Sequence, residues 1–263
     1  MRNIDQPLVS VIIPSLFNNH DHFREMMASL DCQTYNNFEV LIMLDGNPGR
    51  ETQLLSVLGE ANFQYRVLVS QKQRGVARAL NILARFAKGQ LIARMDDDDI
   101  CHPERFETQV RSLINSNVDV LGTGVGLIDQ HGQSLKTTRF GFDFRAEPTP
   151  YDLLFGDLFF HPSVMFRRAW WQQHRYNRSW KYGEDRELWI RSSHCSVFRN
   201  LPDQLLSYRV RQVGHSSYRK ALKNKLKLLS HFQSIFNWRR PFFYAFIKCL
   251  ELRAISLYII RQS

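Results

Sequence analysis

Four short apolar runs recur along the first hundred residues, separated by stretches of a different period. They are LVSVII (8–13), Phe38 to Leu44, YRVLV (65–69) and Gln90 to Met95. Runs this short and this apolar have the character of buried parallel strands, and Pro14 bounds the first of them. Between the first two, Phe23, Met26, Met27 and Leu30 fall on one face of a helix. After Gly75, Val76, Ala79, Leu80, Leu83 and Ala87 do the same, and Gly89 suits the end of that helix. Strand, helix and strand in repeated alternation predict an α/β fold with a mostly parallel central sheet and helices on both faces. A chain of 263 residues accommodates this as one main domain. Such sheets bind ligands beyond the carboxyl ends of their strands. Three of those ends carry polar groups: Pro14-Ser15, Asp45-Gly46 and Asp96 to Asp99.

Composition removes several alternatives. Hydrophobic content of 44% and charged content of 23% are globular values and exclude a disordered or fibrous chain. Cys32, Cys101, Cys195 and Cys249 lie far apart, with neither a disulfide framework nor a zinc-knuckle spacing, and read as thiols in a reducing cytosol. The N-terminal apolar stretch is interrupted by Pro14 and lacks a small-residue cleavage site, so it reads as no signal peptide. The net charge is +10, but residues 215–263 hold ten Lys or Arg against one acid, Glu251, a net +9. That asymmetry points the C-terminal segment at an anionic surface, a membrane or a nucleic acid.

Four consecutive aspartates, Asp96 to Asp99, close the fourth strand. Adjacent carboxylates repel one another unless water solvates them or a cation sits among them. One reading is a solvated turn in which Asp99 caps the helix that follows Pro103-Glu104-Arg105. The exit of a buried strand favours the other: a hard divalent cation, Mg²⁺ or Mn²⁺, joining carboxylate oxygens to a diphosphate.

The segment IARMDDDDICHPERF resembles the D-x-D segment of glycosyltransferase family 2, and neighbouring pieces resemble that family in its order. VSVIIPS is similar to its first strand, QTYNNFEVLIMLDGN to its second, and RGVARALNILARFAKG to the helix before the D-x-D. FFHPSVMFRR is similar to its acceptor-side segment and GEDRELWIR to its E-D motif. The likeness runs from about Pro7 to Tyr208 and is of the bacterial surface-polysaccharide type. It implies the GT-A fold, a Rossmann-like α/β fold, over residues 1–214. Residues 1–103 would form a nucleotide-binding half and 104–214 an acceptor-binding half, followed by C-terminal helices in a basic segment, 215–263.

By the same resemblance, Pro14, Ser15, Phe17, Asp45, Arg74, Gly75, Asp96 and Asp97 contact the nucleotide sugar. Asp98, with Asp96 and Asp99, holds the metal, and Asp185 is the base that takes the acceptor's proton. His161, Glu184, Arg211 and His215 are weaker candidates for donor or acceptor contact. The implied reaction is an inverting, Mn²⁺- or Mg²⁺-dependent transfer from a nucleotide sugar, with a UDP-sugar the leading donor. The implied acceptor is a saccharide or lipid-linked saccharide. The chain departs from the family pattern at Leu44-Asp45, where paired aspartates are common, at PSLFNN, one residue longer than usual, and at His174-Arg175-Tyr176 in place of Gly-Gly-Tyr.

Other residues carry two readings each. His161 is a site group or a satisfied structural histidine, and Glu184 orients the base or caps a helix. Arg186 and Arg191 flank Trp189 at helical spacing, which reads as a solvated face with Trp189 inward. Arg211 stands where the family often has a metal-site histidine, so either it pairs with the diphosphate or His215 substitutes. Tyr151, Asp152 and Asp157 fall in the segment facing the acceptor, where surface acids are also ordinary. Residues 218–236 form a basic amphipathic helix, while Pro241 to Ile260 is apolar but carries Lys248, Glu251 and Arg253. Each of those charges costs about 2.5–3.5 kcal/mol at a bilayer centre, which favours an interfacial or packed segment over a span. The expected location is cytoplasmic, peripheral on the inner face of the membrane. Nucleotidyl transfer lacks its basic Gly-rich signature after the first strand, and a nucleic-acid-binding module fits poorly with the near-neutral remainder, so no nucleic acid is expected.

Overall fold

β1 (Val9–Ser15) runs up the middle of a parallel group, with β2 (Phe38–Asp45) on one side and β4 (Leu91–Arg94) on the other. β3 (Gln64–Ser70) extends the group beyond β2. The computed structural model describes residues 6–135, 148–149, 152–153, 159–210 and 215–232, with the backbone alone for 215–222. Within it, β5 (Ile100–Cys101), β6 (Val120–Ile128), β7 (Met165–Arg167) and β8 (Phe198–Arg209) complete one sheet in the order β3-β2-β1-β4-β7-β6-β8-β5. β7 is antiparallel to both its neighbours, β6 and β8 run parallel, and β5 is antiparallel to β8.

The period of two along each strand sends alternate residues to opposite faces. Val9, Val11 and Ile13 share a core with Val40, Ile42 and Leu44 of the paired strand, and with Leu91 and Ala93. α1 (His20–Asp31), α2 (Glu51–Leu58) and α4 (Arg105–Ile114) supply Phe23, Met26, Leu30, Leu54, Leu58, Phe106 and Leu113 to that core. On the other face lie Ile12, Leu41 and Ile92, also buried, and α3 (Val76–Phe86) packs against β1 and β2 with Ala79, Leu80 and Leu83 buried. Helices thus cover both faces, as the alternation predicts. α5 (Arg168–Gln173) follows β7, and α6 (Glu184–Ser192) precedes β8. Trp189 of α6 is buried, while Arg191 reaches back to Glu187 and to the carbonyl of Arg175.

Two boundaries differ from the sequence reading. β1 continues through Pro14 to Ser15, because β4 stops pairing at Arg94 opposite Ile12. At Pro14 the strand has a neighbour on one side only, a place where proline is tolerated. Gly89 does not end α3, whose C-cap is Ala87. It lies instead where a Cβ would come within 2.5 Å of the Leu8 carbonyl and 2.7 Å of the Ser10 nitrogen. Its own N–H donates to Ser10 Oγ at 2.8 Å, and Ser10 Oγ donates to Glu39 Oε1 at 2.7 Å. The glycine is there for close approach of backbones.

The chain divides into two compact units, Met1–Arg211 and Gln212–Ser263. The second contributes α7 (His215–His231), on which Lys223 and Lys227 are exposed. No helix among the described residues is long and apolar enough to cross a membrane. The apolar segment Pro241 to Ile260 lies outside the described residues.

Gly89→Ala should destabilise the first unit by about 1–3 kcal/mol through steric conflict with the backbone of β1. Denaturant unfolding of the purified variant beside wild type measures it.

Candidate active site

The acidic turn begins where β4 ends. Met95 N donates to the Ile12 carbonyl, and the chain then turns through Asp96 to Asp99 into β5. Asp96, Asp97 and Asp98 are half-buried, whereas Asp99 is fully buried. Asp99 is therefore not the helix cap that one reading allowed: α4 starts at Arg105, its N-cap is Glu104, and that cap makes no side-chain bond. Arg209, at the end of β8, holds the turn. Its backbone N–H donates to Asp99 Oδ1 at 2.9 Å and its Nε to the Asp98 carbonyl at 2.8 Å. Nη1 reaches the carbonyls of Asp129 and Gln130, and Nη2 pairs with Glu25 of α1.

Within this frame, Asp96, Asp98 and Asp99 each offer a carboxylate oxygen, and the three lie within 4.8 Å of one another. Asp99 Oδ2 is buried without a hydrogen-bond partner, and burial followed by the Asp96 charge pushes the Asp99 carboxyl well above its ordinary range. An unpartnered buried oxygen beside two more carboxylates is an all-oxygen donor set, which fits Mg²⁺ or Mn²⁺. Burial, then Asp96 and Asp99, also pushes the nearby Tyr208 hydroxyl up to about 12.

The nucleotide-side candidates divide. Ser15 Oγ donates to Asp97 Oδ2 at 2.5 Å and accepts the Phe17 N–H at 2.9 Å, so the ends of β1 and β4 are joined by side chains. Asp45 is buried at the end of β2, and its two oxygens accept the N–H groups of Arg74 and Gly75, both at 2.8 Å. It thereby fixes the loop that leads into α3. Gly75 and Gly46 have φ of +85° and +87°, and a Cβ on Gly46 would lie 2.2 Å from the Gln73 nitrogen. Arg74 is exposed, with Nε on Ser70 Oγ.

Phe17 is a correction. Its side chain is fully buried, edge-on to Phe23 and stacked on His20 with ring centroids 4.5 Å apart. It leaves no face for a base to stack on. Its φ of +50° is unusual for a bulky residue, and core packing of the ring holds it there.

On the other side of the acidic turn, Gly183 (φ +70°) leads into α6, which places Glu184 and Asp185 in its first turn. Glu184 is buried and Asp185 half-buried. Burial, then the adjacent Asp185 charge, pushes Glu184 up to about 7. His161 Nε2 lies 2.8 Å from the Tyr176 hydroxyl, and Nδ1 lies 3.9 Å from Glu184 Oε1. Burial and the Arg94 charge hold His161 well below its ordinary value, so it is neutral and the contact with Glu184 is no ion pair. His161 is thus a buried histidine bonded to Tyr176 and placed beside Glu184. Tyr176 is tied to α3 by Asn81, whose Nδ2 donates to the Tyr176 carbonyl at 2.8 Å and whose Oδ1 accepts its N–H at 3.1 Å.

Arg94 escaped the sequence reading. It closes the apolar β4 and is buried, with Nη2 2.7 Å from Asp96 Oδ1. Burial alone would lower its pKa, but Asp96, Tyr176 and Asp99 raise it. The signal was a charged residue within a strand otherwise uniformly apolar. Asp152 accepts from Thr149 in an exposed turn. Arg211, Tyr151, Asp157 and the side chain of His215 lie outside the described residues.

A family model described as Glycosyl transferase family 2 matches residues 10–201. The amylovoran biosynthesis glycosyltransferase AmsE of Erwinia amylovora is 33% identical over 218 residues, covering 77% of this chain and 76% of that protein. The O-antigen biosynthesis glycosyltransferase WbnJ of Escherichia coli is 29% identical over 208 residues, covering 77% and 80%. Among solved structures, S. aureus TarS 1–349 in complex with UDP superposes with a TM-score of 0.62 at 17% identity, a likeness of fold covering 84% of this chain and 65% of that one.

The raised Glu184 carboxyl has a pH signature. The folded protein holds this proton more tightly than the unfolded chain, so its contribution to stability is present at low pH and is lost as pH rises to about 7. Relative to Glu184→Gln, wild type should lose of the order of 1–3 kcal/mol between about pH 4.5 and pH 7. Denaturant melts of both proteins across that range read it directly.

Proposed function

The chain belongs to glycosyltransferase family 2, and from that premise we propose that it moves a sugar from a UDP-sugar to a hydroxyl of a saccharide or lipid-linked acceptor. We assign it to surface-polysaccharide synthesis, as a metal-dependent, inverting hexosyl- or N-acetylhexosaminyltransferase. The observation that carries this reading is the set of Asp96, Asp98 and Asp99 at a strand exit, with Asp99 Oδ2 buried and unpartnered. Mn²⁺ or Mg²⁺ bound by these residues would supply Lewis-acid neutralisation of the leaving diphosphate.

The chain's own residues do the rest. The loop at Arg74-Gly75, pinned by Asp45, and the Ser15–Asp97 pair line the nucleotide side. Asp185, exposed enough to meet an acceptor, removes the proton of the attacking hydroxyl, a poor nucleophile without a base. Glu184, buried beside it and protonated over much of the acid range, keeps a second full negative charge from crowding that base below about pH 7. The UDP bound to the structural neighbour TarS supports the choice of nucleotide. The glycan-assembly roles printed for AmsE and WbnJ support the pathway class. For location we propose a cytoplasmic protein whose basic segment, residues 215–263, rests on an anionic inner membrane surface that presents the acceptor.

Purified protein incubated with a panel of nucleotide sugars and Mn²⁺ or Mg²⁺ should release nucleoside diphosphate from one of them. Asp98→Ala should abolish the metal-dependent release, and Asp185→Asn should lower transfer to acceptor by about 10²–10⁴-fold. Absence of any metal-dependent nucleotide binding would overturn the reading.

A further inference from the structure

Two arginines lie buried side by side beneath the acidic turn, and they are bonded very differently. Arg105 is fully enclosed, and its donors are used: Nε on Gln109 Oε1, Nη2 on the Arg94 carbonyl and Nη1 near Cys101 Sγ. Arg94 is equally enclosed, yet only Nη2 is bonded, to Asp96, while Nε and Nη1 have no hydrogen-bond partner in the structure. A buried guanidinium kept only for the fold would be expected to have its N–H groups satisfied, as Arg105 does. Arg94 also stands between two acidic groups. Its charge acts on Asp99 from below the turn and on Glu184 and His161 from the α6 side. The carboxylate it does bond, Asp96, is one of the three that form the cation-binding set.

We propose that Arg94 is a positioning residue, the resident counter-cation of the acidic turn. It neutralises Asp96 while no divalent ion is bound and yields that carboxylate when one arrives. The inference rests on the metal-binding reading of Asp96, Asp98 and Asp99. Four adjacent aspartates, one of them buried, need positive charge nearby for the turn to close at all. A divalent ion then competes with the guanidinium for the same oxygen. The unused N–H groups leave Arg94 with donors for other acceptors, Glu184 foremost, once Asp96 turns toward the ion.

The test uses full-length protein without donor, Mn²⁺ alone as the probe, and the variants Arg94→Met and Arg94→Lys. Metal-free Arg94→Met should melt about 5 °C below wild type, and saturating Mn²⁺ should restore most of that difference. Calorimetric titration should show Mn²⁺ binding about tenfold more tightly to Arg94→Met, because a competing cation is gone. Arg94→Lys, which keeps the charge, should stay within twofold of wild type in Mn²⁺ affinity. Weaker Mn²⁺ binding in Arg94→Met, a melting loss that Mn²⁺ does not restore, or equal tightening in Arg94→Lys would each overturn the proposal while leaving the transferase reading standing. Absence of Mn²⁺ binding to wild type would overturn this proposal and the metal reading together.

Discussion

Arg209 gives the acidic turn its attachment to β8, beside the bonds of Ser15 to Asp97 and of Arg94 to Asp96. It closes β8, and from there its backbone and guanidinium bind Asp99, the Asp98 carbonyl, the loop at Asp129-Gln130 and Glu25 of α1. Nothing local to the sequence Asp96 to Asp99 would fold four like charges into a tight turn. An arginine from more than a hundred residues away supplies hydrogen bonds and charge together, from the strand that pairs with β5 just after the turn. Without it Asp99 and the Asp98 carbonyl would lose the bonds that Arg209 gives them.

The parallel half of the sheet was legible because its strands are decided by local chemistry. The runs at 8–13, 38–44 and 65–69 are mostly apolar, and α1 and α3 show their stripe, whereas the short α2 was not read from the sequence. The mixed half was not, since β6 reads as VLGTGVGLI, whose glycines make room for neighbours that only the fold reveals. A Cβ on Gly122, for example, would lie 2.4 Å from Asn200 Oδ1 of β8. Pro14 and Gly89 were misread for the same reason. A proline is a strand terminator only if both sides of the strand are paired at that point, and a glycine after a helix is a cap only if no other backbone needs the space.

The site divides along the same line. Asp96, Asp98 and Asp45 stand out by type and by position at strand ends, whereas Asp185 enters only through the resemblance of GEDRELWIR to the family's E-D motif. Asp99 is different: whether it is solvated or buried depends on β8 arriving beside it. Phe17 was assigned to the nucleotide sugar by resemblance alone, and Phe23, one turn into α1, instead takes its ring into the core. Arg94 was passed over because it lies within a strand, where periodicity draws attention to the apolar majority and away from the single charge.

The bond between Asn81 and Tyr176 has a consequence for the roles that residue 176 plays. Asn81 grips the backbone amide and carbonyl of residue 176, as a neighbouring strand would, and ignores the side chain. The joint between α3 and the segment leading to α6 therefore rests on backbone groups that every residue carries, while a substitution at 176 is felt through the buried ring and its hydroxyl, 2.8 Å from His161 Nε2. Two tasks are thereby separated at one position: the main chain fixes where the segment lies, and the side chain alone answers for the surroundings of His161.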